Sequence, residues 1–70
     1  MTPQEMLEQV IDKSVTEFLE IAKEEEDGDY GDAMLSMERT EAYGRVEGLQ
    51  VAYEIVFGKA YASPIGFDND

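Results

Sequence analysis

Two segments with helical apolar spacing flank one short acidic stretch, and this arrangement constrains the fold more than any other feature of the sequence. The stretch, residues 24–32, holds six acidic residues and two glycines, so it combines a helix stop with a turn. In the first segment, residues 3 to about 25, one helical face carries Leu7, Val10, Ile11, Ser14, Val15, Phe18, Ile21 and Ala22. The sequence therefore predicts an all-α antiparallel helical hairpin whose two long helices are joined by an acidic, glycine-containing loop.

Residues typical of helix starts stand at the beginning of both segments. Thr2 can cap the first helix, Pro3 suits its first position, and Glu5 lies where the carboxylate of a capping box belongs. Asp32 can cap the second helix. Pro64 ends any helix that continues so far.

The second segment carries an apolar seam that predicts a helix from residue 33 to about residue 61. The seam has a gap at Arg39 and consists of Leu35, Ala42, Val46, Leu49, Tyr53, Val56 and Ala60. Residues 49–57 are also rich in Val, Ile, Tyr and Phe, which makes a strand the alternative for this part. Because the seam stays in phase through these residues, we favour the helix.

Gly44 and Gly48 lie in the middle of this predicted helix, although each glycine costs about 1 kcal/mol relative to alanine. With Ala52 they form a small-xxx-small spacing that lets two helix backbones approach closely. We predict close packing against the first helix or a second copy; a hinge and simple tolerance of glycine are the alternatives. The apolar surface is wider than one neighbouring helix can cover, which favours a homodimeric four-helix bundle. The residues predicted to pack are Leu35, Ala42, Gly44, Val46, Gly48, Leu49, Ala52, Tyr53 and Val56.

Neither cysteine nor histidine occurs among the 70 residues. A chain this short buries only about 60% of the surface that its unfolded form exposes, so such domains usually need disulfides, a metal or oligomerisation. The missing residue types exclude disulfides, zinc sites of the usual kind and iron–sulfur clusters. Oligomerisation or a permanent partner is therefore the expected source of the stability that the small core lacks. We also expect no cofactor.

The side chains that usually perform catalysis are scarce, so we expect the chain not to be an enzyme. The three serines would need lysine or a carboxylate as their base, and Ser14 lies on the apolar face. The acidic loop could bind calcium, but Asp27, Asp29 and Asp32 do not follow the EF-hand spacing in any frame. We therefore expect no metal site and interpret the loop as a solvated turn.

Seventeen acidic residues oppose five basic ones, which gives a formal charge of −12 at pH 7. A net charge of about 2 to 8 in magnitude is enough to keep a small domain soluble. This charge repels nucleic acid and anionic membranes, so we expect direct binding to neither. Acids also interrupt the first twenty residues, so we expect no signal peptide, no membrane span and a cytoplasmic location.

Such an acidic surface can present carboxylates to a basic groove that evolved for phosphates. In general character the chain resembles the small acidic helical proteins that phages use against host or defence systems, some of which mimic nucleic acid. The resemblance implies an inhibitor that occupies a basic, nucleic-acid-binding surface of a partner protein. The residues predicted to bind that partner are Glu24, Glu25, Glu26, Asp27, Asp29, Asp32, Tyr30 and Tyr43. The alternative function is a structural module whose role is oligomerisation itself.

The hairpin domain is predicted to span residues 1–62, followed by an acidic tail of residues 63–70. In this tail Ile65 and Phe67 stand among turn formers and acids. They either anchor in a groove, on this chain or on a partner, or belong to a frayed terminus.

Overall fold

The computed structural model describes residues 1–28 and 31–65 of the chain. Two helices, α1 (Pro3–Asp27) and α2 (Ala33–Phe57), pack side by side in antiparallel order, and the described residues contain no strand. The prediction of an all-α helical hairpin is therefore confirmed. Residues 49–57 are helical, as the phase of the seam predicted, but α2 ends at Phe57 rather than near residue 61.

Both helices begin at the predicted capping residues. The backbone N–H of Glu5 donates to Thr2 Oγ1 at 3.1 Å, and the backbone N–H of Thr2 donates to Glu5 Oε1 at 3.0 Å. At the start of α2, Asp32 Oδ1 accepts a hydrogen bond from the backbone N–H of Met34 at 2.9 Å. Because the first N–H groups of a helix lack partners within the helix, these side chains fix where each helix begins.

Gly58 ends α2 in the left-handed conformation, with a φ of 69°. Its N–H donates to the carbonyl oxygen of Glu54 at 2.8 Å, and glycine adopts this φ without the Cβ clash that other residues meet. The chain then returns to α1, where Tyr61 and Ser63 bind the carboxylate of Asp12. We call residues 58–63 the C-terminal strap.

The hydrophobic core between the helices is thin. Ile11 and Val15 of α1 and Val46 and Tyr53 of α2 form its buried cluster. The partly buried side chains packed against this cluster are Leu7, Phe18, Leu49, Phe57 and Tyr61. A core of this size leaves a two-helix chain dependent on polar contacts between the helices or on association with another surface.

Three residues with predicted roles lie outside the described residues. They are Asp29 and Tyr30, predicted to bind a partner, and Phe67, predicted as an anchor of the tail. Ile65 is described and is 43% exposed. The division of the chain after residue 62 stays a prediction.

Candidate functional site

Glu25 lies between the helices, although the sequence predicted an exposed acid that binds a partner. Its side chain is closed to solvent, and its Oε1 accepts a hydrogen bond from Nε of Arg39, with the two atoms 2.6 Å apart. The hydroxyl of Ser36 donates to its other oxygen. The hydrogen bond from Ser36 lowers the pKa of Glu25; burial opposes this shift, and the contact with Arg39 adds to it.

The prediction that Glu25 binds a partner is therefore corrected, because a carboxylate enclosed by Ser36 and Arg39 cannot meet another protein. The same contact explains the gap in the apolar seam. Arg39 stands at a seam position of α2 because its charge neutralises a carboxylate buried on α1, which an apolar residue could not do.

The other acids at this end of α1 face solvent. Glu24, Glu26 and Asp27 are exposed and belong to the last turn of α1, which contains no basic residue. The C-terminal end of a helix carries partial negative charge, so carboxylates are unfavourable there. Asp32 is exposed as well, but its carboxylate caps α2. We call Glu24, Glu26 and Asp27 the acidic end.

Tyr43, predicted as an exposed aromatic anchor, is half-buried. Its ring packs against that of Phe18 on α1, with ring centroids 5.8 Å apart and ring planes inclined by 58°. Tilted aromatic pairs of this kind stabilise packing. Tyr43 therefore belongs to the contact between the helices, which corrects its predicted role as an exposed anchor.

The hydroxyl of Tyr53 makes a polar contact across the core that the sequence pattern did not reveal. It donates to Glu8 Oε2 at 2.6 Å and accepts a hydrogen bond from Gln4 Nε2 at 2.8 Å. The ring of Tyr53 is buried in the seam as predicted, and it stacks at a tilt on Phe57 with centroids 4.8 Å apart. The hydrogen bond to Glu8 raises the pKa of Tyr53.

Tyr61 attaches the C-terminal strap to α1 in the same way. Its hydroxyl donates to Asp12 Oδ1 at 2.9 Å, and the hydroxyl of Ser63 donates to the same oxygen at 2.7 Å. Burial, followed by the contact with Asp12, raises the pKa of Tyr61 to about 12. These partners are far apart in the sequence, so no local pattern could have identified them.

The face of α2 that points away from α1 carries mostly apolar side chains, and the described residues leave it exposed. Five of its large side chains are between 56% and 78% exposed: Met34, Met37, Val51, Ile55 and Val56. Gly44, Gly48 and Ala52 are exposed between them. A Cβ added at Gly44 or Gly48 would have no neighbouring atom within 4 Å beyond its own helical surroundings. We call these eight residues the α2 apolar face.

The residues predicted to pack therefore fall into two groups. The first group is buried or half-buried against α1 and comprises Leu35, Ala42, Val46, Leu49 and Tyr53. The second group faces solvent and comprises Gly44, Gly48, Ala52 and Val56. The prediction that the glycines pack against α1 is wrong, whereas their packing against a second copy stays a prediction. Despite this apolar face, neither helix within the described residues has the length and apolar character to span a membrane.

The described residues offer no assembled site for chemistry. Across residues 1–28 and 31–65, no group of three or more acids is placed to hold a metal ion. Every buried polar side-chain atom in this part of the chain has a hydrogen-bond partner. A groove of ≈ 320 Å³ lies between α2 and the strap, and its lining includes the exposed carboxylates of Glu47 and Glu54, which favour cationic groups.

No protein-family model, no curated protein and no solved structure matches this chain. The two surfaces that bear on its function are the acidic end and the α2 apolar face.

Proposed function

We propose that this chain is a non-catalytic binding protein that dimerises and blocks a basic, nucleic-acid-binding surface of another protein. The acidic end meets the partner, and the α2 apolar face joins two hairpins into a four-helix assembly in which the two α2 helices are in contact. Such a protein acts as an inhibitor, in the manner of the small acidic proteins that phages direct against host or defence systems.

The observation that carries this proposal is the position of Glu24, Glu26 and Asp27. Three exposed carboxylates in the last turn of a helix oppose the helix dipole and repel one another, so local stability does not account for them. Departures from local stability are expected at functional sites. Carboxylates held on a helix end can take the place of phosphates in a basic groove, and complementary charge speeds association.

Homodimerisation is supported by the thin core and by the exposed side chains of the α2 apolar face. A small domain without disulfides or a metal commonly gains its stability by association. Covering the α2 apolar face removes this surface from water and leaves the acidic end of each hairpin free for a partner.

Two triple variants with the same loss of charge test the role of the acidic end. The test variant is Glu24→Gln, Glu26→Gln, Asp27→Asn, and the control variant is Glu38→Gln, Glu47→Gln, Glu54→Gln on α2. All six side chains are exposed, so both variants should keep the fold. Single changes are unsuitable, because one exposed ion pair contributes only about 0.2 to 1 kcal/mol.

The partner for this test is a nucleic-acid-binding protein that the immobilised parent retains from a cell extract and releases at raised salt. We expect the test variant to associate more slowly, with a weaker dependence on salt, while its melting temperature rises because unfavourable charge has left the helix end. The control variant should associate nearly as fast as the parent. If the test variant keeps the parental rate at low salt and the parental salt slope, binding through the acidic end is excluded.

A module whose only role is assembly is the second candidate, and the α2 apolar face favours it. This candidate predicts that Ile55→Asp abolishes self-association and function together, whereas the triple variant at the acidic end retains both. Ile55 is 78% exposed, so the aspartate should leave the hairpin itself intact.

A further inference from the structure

We infer that the C-terminal strap is a lid that opens at Gly58 while α1 and α2 stay packed together. Opening exposes the ring of Tyr53 and frees the carboxylate of Asp12. The lid belongs to a single hairpin, so it depends on neither the proposed dimer nor the proposed partner. Its few contacts, its hinge and the separate contacts between the helices support this assignment.

The strap is attached to α1 through one carboxylate. The hydroxyl of Tyr61 lies 2.9 Å from Oδ1 and 3.1 Å from Oδ2 of Asp12, and the hydroxyl of Ser63 lies 2.7 Å from Oδ1. In the part of the chain that the structure describes, residues 59, 60 and 62 form no hydrogen bond with either helix, and all three are exposed. A segment with few buried contacts and an exposed backbone opens at a lower free energy than the core of a protein. The strap should therefore open more readily than the two helices separate.

Gly58 provides the hinge of the lid. It follows α2 directly in the left-handed conformation, and a Cβ at this position would meet no atom beyond its local surroundings within 4 Å. Its N–H stays bonded to the carbonyl oxygen of Glu54, so the end of α2 remains capped when the residues after Gly58 move. Glycine reaches many backbone conformations at little cost, so a rotation here moves the strap without disturbing the helix.

The closed strap covers an aromatic side chain of the core and forms one wall of a groove. Tyr61 packs on Tyr53, with ring centroids 5.3 Å apart, and Tyr53 is only 1% exposed. The groove of ≈ 320 Å³ beside α2 has Ala60 and Tyr61 in its lining, so it exists only while the strap is closed. Opening removes this groove and exposes an aromatic ring beside the carboxylates of Glu8 and Asp12.

The contacts that join α1 to α2 do not involve the strap. The buried cluster of the core comes from the two helices alone, and Tyr61 is a partly buried side chain packed against it. Tyr53 and Glu8 form a hydrogen bond between the helices, and Arg39 and Glu25 form an ion pair between them. These contacts remain when the strap opens, so the hairpin keeps its fold.

Native-state proteolysis with a lysine-specific endopeptidase tests the lid. Lys59 lies in the strap, whereas Lys13 and Lys23 lie inside α1. A protease needs an extended segment on both sides of the bond that it cuts, so cleavage after Lys59 reports release of the strap, and cleavage after the other two lysines reports loss of α1. When opening and closing are fast, each rate follows the population of the open form. Mass spectrometry of the first products, in dilute solution, should show the parent cut first after Lys59.

A substitution in the core distinguishes local opening from unfolding of the hairpin. Val46 is fully buried between the helices, so Val46→Ala destabilises the closed and the open strap equally relative to the unfolded chain. We expect this variant to be cut on the order of tenfold faster after Lys13 and Lys23 but at the parental rate after Lys59. In the parent, low concentrations of urea should accelerate cleavage after Lys59 least, because opening the strap exposes less surface than unfolding does.

Ser63→Ala tests whether Asp12 holds the strap closed. The variant loses one of the hydrogen bonds to Asp12, so cleavage after Lys59 should be about fivefold faster, as expected for one lost hydrogen bond. Thr40→Ala is the matched control, since the hydroxyl of Thr40 donates to the carbonyl oxygen of Ser36 within α2. This control should be cut after Lys59 at the parental rate.

Equal acceleration of all three cleavages in Val46→Ala would overturn the inference, because the strap would then open only when the hairpin unfolds. Equal acceleration by urea in the parent would overturn it as well, without any substitution. An unchanged rate after Lys59 in Ser63→Ala would show that Asp12 does not hold the lid. None of these results bears on the binding test of the acidic end, so a failure here is distinct from a failure of the proposed function.

Discussion

The hydroxyl of Tyr61 donates a hydrogen bond to Asp12 at 2.9 Å, although 49 positions separate the two residues in the sequence. This contact holds the C-terminal strap on α1. It also keeps the ring of Tyr61 against that of Tyr53, with ring centroids 5.3 Å apart. The strap thereby covers the core at the end of the hairpin where the two helices are not connected.

Replacing Tyr61 by phenylalanine should loosen the strap without removing its ring. We expect Tyr61→Phe to lower the free energy of unfolding by about 1 kcal/mol, because one intramolecular hydrogen bond is lost. Urea unfolding measures this change. Lys59→Ala, at an exposed position of the same strap, should change stability by less than about 0.5 kcal/mol. Equal stability of Tyr61→Phe and the parent would show that the contact with Asp12 contributes nothing.

Stability should fall in alkaline solution as Tyr61 loses its proton. Its pKa is about 12 in the folded chain, above the usual value of 10.0, so the folded state holds the proton more tightly than the unfolded state does. The resulting stabilisation is complete below pH 10 and is lost as the pH rises towards 12. Urea midpoints measured from pH 9 to pH 12 should fall more steeply for the parent than for Tyr61→Phe. Parallel curves would contradict the assignment.

Glu25 should make the hairpin sensitive to acid. Its pKa in the folded chain is lowered, so its contribution to stability is present above the usual value of 4.5 and is lost as the pH falls through the folded value. We expect Glu25→Gln to be less stable than the parent at pH 7 and to lose less stability on acidification. Its neighbour Glu24 is exposed, so Glu24→Gln should keep the acid dependence of the parent. The two variants would show the same acid dependence of stability if Glu25 made no contact with Arg39 and Ser36.

Two valines on opposite faces of α2 separate the core from the outer surface. Val46 is fully buried, whereas Val51 is 56% exposed. We expect Val46→Ala to cost about 2 kcal/mol through lost burial and the cavity left behind. Val51→Ala should cost less than about 0.5 kcal/mol in dilute solution and should weaken self-association at higher concentration. Chemical unfolding and sedimentation, performed on both variants, distinguish these effects.

A small and a large substitution at Gly48 should affect different properties, namely the stability of the hairpin and the formation of the dimer. We expect Gly48→Ala to stabilise the hairpin by about 1 kcal/mol in dilute solution, because alanine favours the helix and its Cβ meets no neighbour. Gly48→Leu should leave the hairpin folded but weaken the dimer, since the larger side chain fills the room that a second helix needs. Thermal unfolding in dilute solution and sedimentation measure the two effects. Destabilisation by alanine in the monomer would reveal an intramolecular contact at this position.

The helices themselves follow from local interactions that can be read along the chain. Thr2, Glu5 and Asp32 cap helices at the positions where the sequence predicted them, because a cap requires only groups a few residues away. The break between the helices follows equally from residues 24–32. The end of α2 was less predictable, because the apolar pattern continues to Ala60 while Gly58 already leaves the helical conformation.

Partner assignment between the helices required the tertiary structure. The acids beside Glu25 predict an exposed residue, whereas its helical spacing from Phe18 and Ala22 places it on the apolar face of α1, where it contacts Arg39. The rotation of α2 about its own axis leaves Gly44 and Gly48 without a contact from α1, and the packing of the two helices sets Tyr53 against Glu8. The sequence by itself thus determined two helices and their starts, since these depend on neighbours within about one helical turn. Only the tertiary structure decided which residues Glu25 pairs with and which apolar face stays open, because both depend on how two helices pack, and short-range interactions do not specify that packing.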